Sequence, residues 1–468
     1  MTLLLATHPM GESTPEPDDH PDQSLRWLAF VAGSGALFVT GGALLDSPPI
    51  FLVGALSLAV AAVWSMVVSP TWMIIGFVAI RPMFDLGPTY GNGPNVNSAA
   101  GVLLLAAIGR WAWLHRTVLM RPHASVHAAA GFGAAAILSA VGSRDAVSSI
   151  QEAFRVVCAI ALFAIGDQIC RRDPAFLTRI VVAFVISAAL AMIPAVAQIF
   201  GLLAIPGMEG LDLRSETLRP PGPYPAPTVL AAHLVISSAL LLLVVPSLWR
   251  HSGWRSGAPY GALVGLVSLW VLLENKSRSP VGALLMVAGT FAVIRWRWAG
   301  AIAMSMVTLA AVATIGTSTV RLDEFGTGVN TGASADTFEW RTDYWRDNLP
   351  RFEDNPVTGI GLGRVQQLHI FHQPPHNVYV QTLVEMGTAG AIALIGFIVF
   401  LSRDLWTALR RTRGGPMFEV VLLAALLCLA YAFMGLFENL LTQLVTTGPL
   451  ALITGCALGS ARRVHRSR

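Results

Sequence analysis

The chain has 468 residues, of which 54% are hydrophobic and only 12% charged, against about 25% charged in an ordinary soluble domain. That balance excludes an ordinary soluble enzyme and points to a polytopic membrane protein, because apolar runs approaching the roughly 20 residues that cross a bilayer recur throughout. The net charge is +4, and Lys276 is the only lysine among the basic residues, so arginine carries almost all the positive charge.

Residues 1–24 are polar, acidic and proline-containing (GESTPEPDDHPD) and lack the basic start and cleavage site of a secretory signal. They read as a disordered cytoplasmic tail, followed by one membrane domain over residues 25–468. The expected fold class is all-α, a polytopic transmembrane helical bundle of about 12–14 spans. The candidate spans lie near 25–45, 50–68, 71–80, 97–114, 125–141, 150–169, 177–201, 226–248, 259–273, 280–294, 299–316, 378–401, 418–437 and 445–460. The third, TWMIIGFVAI, is short. It is retained because cytoplasmic loops are enriched in arginine and lysine. With the N-terminus inside, the basic clusters RWAWLHRTVLMR, CRRDPAFLTR, RHSGWR, RWRW, SRDLWTALRRTR and ARRVHRSR all fall on the cytoplasmic side. Both termini are then cytoplasmic. Cys158, Cys170, Cys428 and Cys456 lie in or at the ends of apolar stretches without metal or disulfide spacing and read as packing residues.

Four outward segments exceed a hairpin: 81–96, 202–225, 274–280 and a large extracytoplasmic loop at 317–377. Loops of that length are commonly functional or disordered. Within the longest, DTFEWRTDYWRDNLPRF spaces Phe338, Trp345, Leu349 and Phe352 as one helical face, with Asp336 as N-cap and Asn355-Pro356 as a stop. The spacing predicts a helix lying on the membrane mouth.

Orientation rules disfavour outward arginine, yet Arg81, Arg144, Arg155, Arg214, Arg219, Arg278, Arg321, Arg341, Arg346, Arg351 and Arg364 all face outward in this topology. A guanidinium fork matches phosphate oxygens, and Arg81, Arg155, Arg219 and Arg278 stand at span ends, where a lipid-linked diphosphate would sit. The competing reading is snorkelling, or ion pairing with acids such as Asp85, Glu152 and Glu216.

His369, His372 and His376 precede a span. A metal site is the weaker reading, because Pro374-Pro375 interrupts the spacing and neither a cysteine nor a carboxylate completes a ligand shell nearby. His376, immediately before the helix and at headgroup depth, is better suited as a general base for a hydroxyl proton; the plainer alternative is a helix-capping histidine. In the helix that follows, Gly387 and Gly390 share nearly one face and suggest close approach of another helix. A carboxylate at Glu385 inside an apolar run requires a partner, either an arginine or His376. Glu438 and Asn439 raise the same question at the end of a later span.

His376-Asn377, nine residues, then Gly387-Thr388-Ala389-Gly390 resembles the hallmark of the O-antigen ligase and O-antigen polymerase superfamily of bacterial envelope glycan transferases. The Arg219-Pro-Pro-Gly-Pro-Tyr segment, the Ser277-Arg278-Ser279 step and Arg341 and Trp345 followed by NPVTGIGLG are also similar, so the resemblance spans roughly residues 210–400. It implies a membrane glycosyltransferase of the bacterial inner membrane that moves a glycan from an undecaprenyl-diphosphate donor to an acceptor hydroxyl of a glycan, lipid or protein on the extracytoplasmic side. No metal, other cofactor or nucleic acid is implied. Carried over, His376 is the base and Arg219 and Arg278 grip the diphosphate, with Arg341 a further donor-binding candidate and Asn377, Glu385, Gly387, Gly390 and Arg81 in support. One departure is Pro225-Ala226-Pro227, where family members often have a Pro-Asn step.

The alternative within the superfamily is a polysaccharide repeat-unit polymerase. From another class, a lipid or solute transporter is disfavoured by the lack of a visible repeat between halves and by few intramembrane charges. A metal-dependent transferase using a lipid-monophosphate sugar would want paired acids in the first outer loop, which offers Asp46 alone.

Overall fold

The computed structural model describes residues 69–85, 96–202, 211–212, 217–224, 226–252, 258–318, 337–368, 375–415 and 417–466, with isolated positions before residue 69. The predicted tail, Asp46 and nearly all of the first two predicted spans lie outside the described residues, as do Arg214, Arg321, Asp336, His369 and His372. The described chain is helical: α1 (Pro70–Ile80), α2 (Val96–Leu114), α3 (Ala124–Val141), α4 (Ala146–Cys170), α5 (Ala175–Ile199), α6 (Pro227–Ser252), α7 (Ala258–Glu274), α8 (Arg278–Ser318), α9 (Thr337–Asn348), α10 (Pro350–Asp354), α11 (Arg364–Leu368), α12 (Val378–Thr412), α13 (Met417–Met434) and α14 (Leu444–Arg466). A two-residue antiparallel pair, β1 (Leu211–Asp212) with β2 (Thr217–Leu218), closes the loop after α5.

Among the described residues, seven helices are long and apolar enough to cross a membrane: α3, α4, α5, the Arg278–Arg295 part of α8, α12, α13 and α14. Their outer surfaces are apolar too. Ile392, Ile395 and Val399 of α12 are all exposed, an arrangement that suits contact with lipid tails rather than water. This is a multi-pass membrane bundle, as the composition predicts. The predicted spans at 280–294 and 299–316 form one helical element interrupted at Arg297, where φ is 53°.

The centre of the bundle is α4 against α14, flanked by α3 and α12, with α5–α8 and α13 completing it. The α4–α14 contact is a backbone approach that the apolar pattern does not predict. A Cβ on Gly455 would lie 2.1 Å from the Phe163 carbonyl, and one on Gly459 would lie 2.3 Å from the Asp167 carbonyl. Small residues four apart let membrane helices meet at backbone distance, where dispersion supplies the attraction that hydrophobicity cannot. Cys158, Cys170 and Cys456 are free and buried, and Cys428 is free and half-buried.

Charge separates the two ends. Three of the basic clusters meet at one end: Arg171 Nη1 and Arg462 Nη1 donate to the Arg121 carbonyl at 2.8 and 2.9 Å, and Arg463 Nη1 donates to the Arg172 carbonyl at 2.7 Å. The charge pattern of the sequence places these loops on one side. His376 lies just before the start of α12, whereas Arg403 and Arg411 lie toward its far end, so the candidate base belongs to the opposite end of the bundle.

Candidate functional site

The site begins with a locked turn. Arg219 leads the PPGPY segment, whose Gly222 is gripped from α5: Gln198 Nε2 donates to the Gly222 carbonyl at 3.1 Å and Gly222 N donates to Gln198 Oε1 at 2.8 Å. From the end of α7, Asn275 Nδ2 donates to the carbonyls of Pro220 and Pro227, each at 2.9 Å. Arg219 itself is half-buried, donating from Nε to the Asn275 carbonyl at 3.1 Å and from Nη2 to Ser277 Oγ at 2.8 Å. Ser277 Oγ in turn donates to Asn275 Oδ1.

That turn also displays cations. Lys276 has a φ of 56° and is exposed, as is Arg278, the first residue of α8. Two sequence-predicted arginines therefore stand on neighbouring turns, with Lys276 between them. Lys276 was missed, although its place as the sole lysine beside Ser277-Arg278-Ser279 was a usable signal. Helix α8 also directs its N-terminal dipole toward this turn, favouring an anion.

The next step leads to the histidine. Ser279 Oγ donates to Glu438 Oε1 at 3.2 Å, and Glu438 Oε2 lies 3.9 Å from His376 Nδ1. Glu438 is buried, while the His376 side chain remains 24% exposed. The backbone on both sides of His376 is held. Trp345 Nε1 donates to the Pro375 carbonyl at 2.6 Å, and Asn377 caps α12 by accepting from Tyr379 N and Val380 N at 2.9 and 3.0 Å. Asn377 Nδ2 also donates to the Leu436 carbonyl at 3.2 Å, tying the cap to the segment that carries Glu438. Between these anchors His376 has a φ of 49°, a left-handed conformation costing a β-carbon residue about 1–2 kcal/mol. Asn377, not His376, is therefore the helix cap.

Arg341 is half-buried on α9, one turn before the Trp345 that holds Pro375, and its buried Nε makes no hydrogen bond among the described residues. The predicted amphipathic helix exists but is broken in two by Pro350, so its buried face differs from the predicted one. Trp345 and Phe352 pack with Tyr344, Val365 and Val384, whereas Leu349 is 42% exposed. The Tyr344 hydroxyl is pushed up to about 12, chiefly by burial. Arg81 is buried beside α1 and within electrostatic reach of His233, whose ring lies 5.7 Å from that of Tyr224. It therefore stands behind the Arg219 segment.

Among the described residues, Glu385 meets neither an arginine nor His376. Its carboxylate accepts from Gly363 N at 2.9 Å, Val365 N at 3.0 Å and Gln381 Nε2 at 2.9 Å. It lies more than two turns along α12 from His376 and anchors the GIGLG loop instead. Gly387 likewise admits that loop rather than another helix. It interrupts α12 with a φ of 64°, and the 356–361 segment pairs antiparallel with the break: Ile360 N donates to Val384 O, Gly361 N to Glu385 O, Thr388 N to Pro356 O and Ala389 N to Val357 O, at 2.8–3.2 Å. Gly390 packs against the Met386 side chain, where a Cβ would lie 2.2 Å from the Met386 Cβ.

Several outer arginines follow the ion-pair reading. Arg155 pairs with Glu152 at 2.6 Å, Arg346 with Asp343 at 3.1 Å and Arg364 with Asp145 at 3.5 Å.

Residues 262–395 match the O-antigen ligase family. The match places that segment in the O-antigen ligase superfamily, whose members are membrane glycan transferases of ligase or polymerase type. It covers well under half of the chain. Within it fall Arg278, Arg341, His376, Asn377, Glu385, Gly387 and Gly390, whereas Arg81, Arg219 and Glu438 lie outside it. The O-antigen ligase segment thus contains the candidate base and the loop-gripped break in α12, and elements on both sides bring Arg219 and Glu438 to it. No curated protein matches the chain.

Proposed function

We propose that the chain transfers a glycan from an undecaprenyl-diphosphate donor to an acceptor hydroxyl, on the extracytoplasmic side of the bacterial inner membrane, with His376 as general base and without a metal. The observation that carries this reading is the convergence of the turn that carries Arg219, Ser277 and Arg278 with His376: Arg219 donates to Ser277, and Ser279, next to Arg278, donates to Glu438, whose carboxylate lies 3.9 Å from His376 Nδ1. It joins a base to a cationic turn.

In this reaction the diphosphate lies against Arg219, Arg278 and the α8 N-terminus, and Arg341 on α9 is a further candidate contact. Glu438 turns the Nδ1 side of the imidazole toward itself and leaves Nε2 as acceptor of the hydroxyl proton. The acceptor oxygen bonds to the anomeric carbon as the carbon–phosphate-oxygen bond breaks, and the lipid diphosphate departs with the electron pair. Preorganised cations stabilise the charge gathering on it.

The test is transfer by purified protein in nanodiscs from a lipid-diphosphate-linked oligosaccharide, resolved by glycan length. A single shift marks a ligase and a regular ladder a polymerase. No donor turnover with any acceptor would favour the transporter. Chelation is expected to leave the rate unchanged, and inhibition reversed by a divalent ion would overturn the metal-free mechanism.

Arg219→Lys is expected to lower transfer about tenfold to a hundredfold, because lysine cannot span Asn275 and Ser277 while presenting a planar fork to phosphate. The same assay at varied donor concentration checks it, and a wild-type rate would remove Arg219 from donor binding. Glu438→Gln is expected to lower kcat by about tenfold to a hundredfold, the rate equivalent of a charge-assisted contact of about 1.5–3 kcal/mol. Donor KM should hold and Glu438→Asp should recover part of the rate. An equal loss in Glu438→Asp together with a lowered thermal transition would mark Glu438 as structural.

A further inference from the structure

At the end of the bundle away from His376, a cavity of about 220 Å³ opens between α3, α12 and α14. Arg403, Arg411 and Arg462 line it, along with His123 and Asp404. The nearby Asp167 is already neutralised by a two-pronged contact with Arg171, Nε to Oδ1 at 2.9 Å and Nη2 to Oδ2 at 2.5 Å. Asp404 accepts from Ser125 N at 2.9 Å, so its charge is partly spent on the first turn of α3. Neither Arg403 nor Arg411 has an ion-pair partner among the described residues. Three guanidinium groups thus face one committed carboxylate.

Two further observations point to a ligand. His123 lines the cavity and is 95% buried; among the described residues its Nε2 makes no hydrogen bond but lies 3.5 Å from Asp167 Oδ1, and its Nδ1 lies 3.7 Å from Asp404 Oδ2. Burial and Arg462 push it down to about 4, so the imidazole adds no charge of its own to the cavity. Ala124, the first residue of the 18-residue helix α3, also lines the cavity and brings the positive end of that helix to it.

We propose that this cavity binds a phosphate-bearing anion, held by Arg403, Arg411 and Arg462. Guanidinium forks match phosphate oxygens in pairs, a doubly charged phosphate balances three cations better than a halide or a singly charged carboxylate does, and the volume exceeds what a single water requires. The same chemistry is offered by the headgroup of an anionic lipid and by free inorganic phosphate.

The experiment is native mass spectrometry of the detergent-purified full chain, with phosphatidylglycerol, phosphatidylcholine or inorganic phosphate added. Wild-type protein is expected to retain one phosphatidylglycerol in preference to phosphatidylcholine, or to take up phosphate and lose phosphatidylglycerol to it. The first outcome assigns the site to a lipid and the second to a soluble anion. Arg403→Gln with Arg411→Gln should weaken either binding at least tenfold. Arg411→Gln alone, at an exposed position, gives a smaller loss in the same direction if the double variant is unstable. Equal binding by wild type and Arg411→Gln, or no binding of any probe, would overturn the proposal. Neither result bears on transfer at His376, which is measured separately.

Discussion

His376→Ala is expected to lower transfer by about 10²–10⁴-fold, the contribution of a positioned general base, while the protein still inserts and folds. Its Nδ1 faces Glu438 at 3.9 Å, longer than a hydrogen bond, and catalytic contacts often tighten only when substrate is bound. The partly exposed ring contributes little packing. Because the residue sits at a φ of 49°, alanine would keep the strain, so His376→Asn is the better companion: asparagine tolerates this conformation and carries no base. Transfer by both variants is measured against protein recovered from the membrane. Wild-type rates in both would remove the base assignment. Loss of folded protein in alanine but not asparagine would identify a backbone effect, and loss of transfer in both with normal recovery supports the base.

The helices were legible because an apolar stretch in lipid has no stable alternative to helix, and the basic loops that meet at the far end were legible from charge. His376 and the Arg219 and Arg278 steps stood out as polar groups where orientation and depth disfavour them. Their connection did not. Ser279 and Glu438 are 159 residues apart, and no local spacing indicates that an acid at the end of α13 turns toward the start of α8. Glu385 shows the opposite failure. A carboxylate in an apolar run needs a partner, and the sequence suggests a charge, but the partners are amides 20 and 22 residues upstream with a glutamine of its own helix. Backbone donors carry no signature of their own. The Gly455–Gly459 contact was hidden for a related reason, since glycine is common in membrane helices and its use depends on which face meets a neighbour.

The second large effect is expected at the break in α12. Gly359→Ala should destabilise the protein by about 2–5 kcal/mol, combining the cost of a left-handed alanine with overpacking. Gly359 has a φ of 70°, and an added Cβ would lie 2.3 Å from the carbonyl carbon and oxygen of Glu385. Gly387→Ala meets the same conflict from the other side, with a φ of 64° and the Val357 carbonyl oxygen 2.4 Å away. In each case the obstacle is backbone, which cannot turn aside as a side chain can. Gly396→Ala is the control in the same helix, because nothing lies within 4 Å of its added Cβ and alanine favours helix over glycine. Thermal unfolding in detergent should therefore fall sharply in the first two variants and hold or rise in the third. The loop that meets the break also orders the Glu385 carboxylate, and α9 holds Pro375 through Trp345, so residual folded protein should lose transfer along with stability. If Gly359→Ala unfolds like wild type, the paired backbone across the break is not a fixed element of the fold, and the positioning of His376 must rest on Trp345, Asn377 and Glu438.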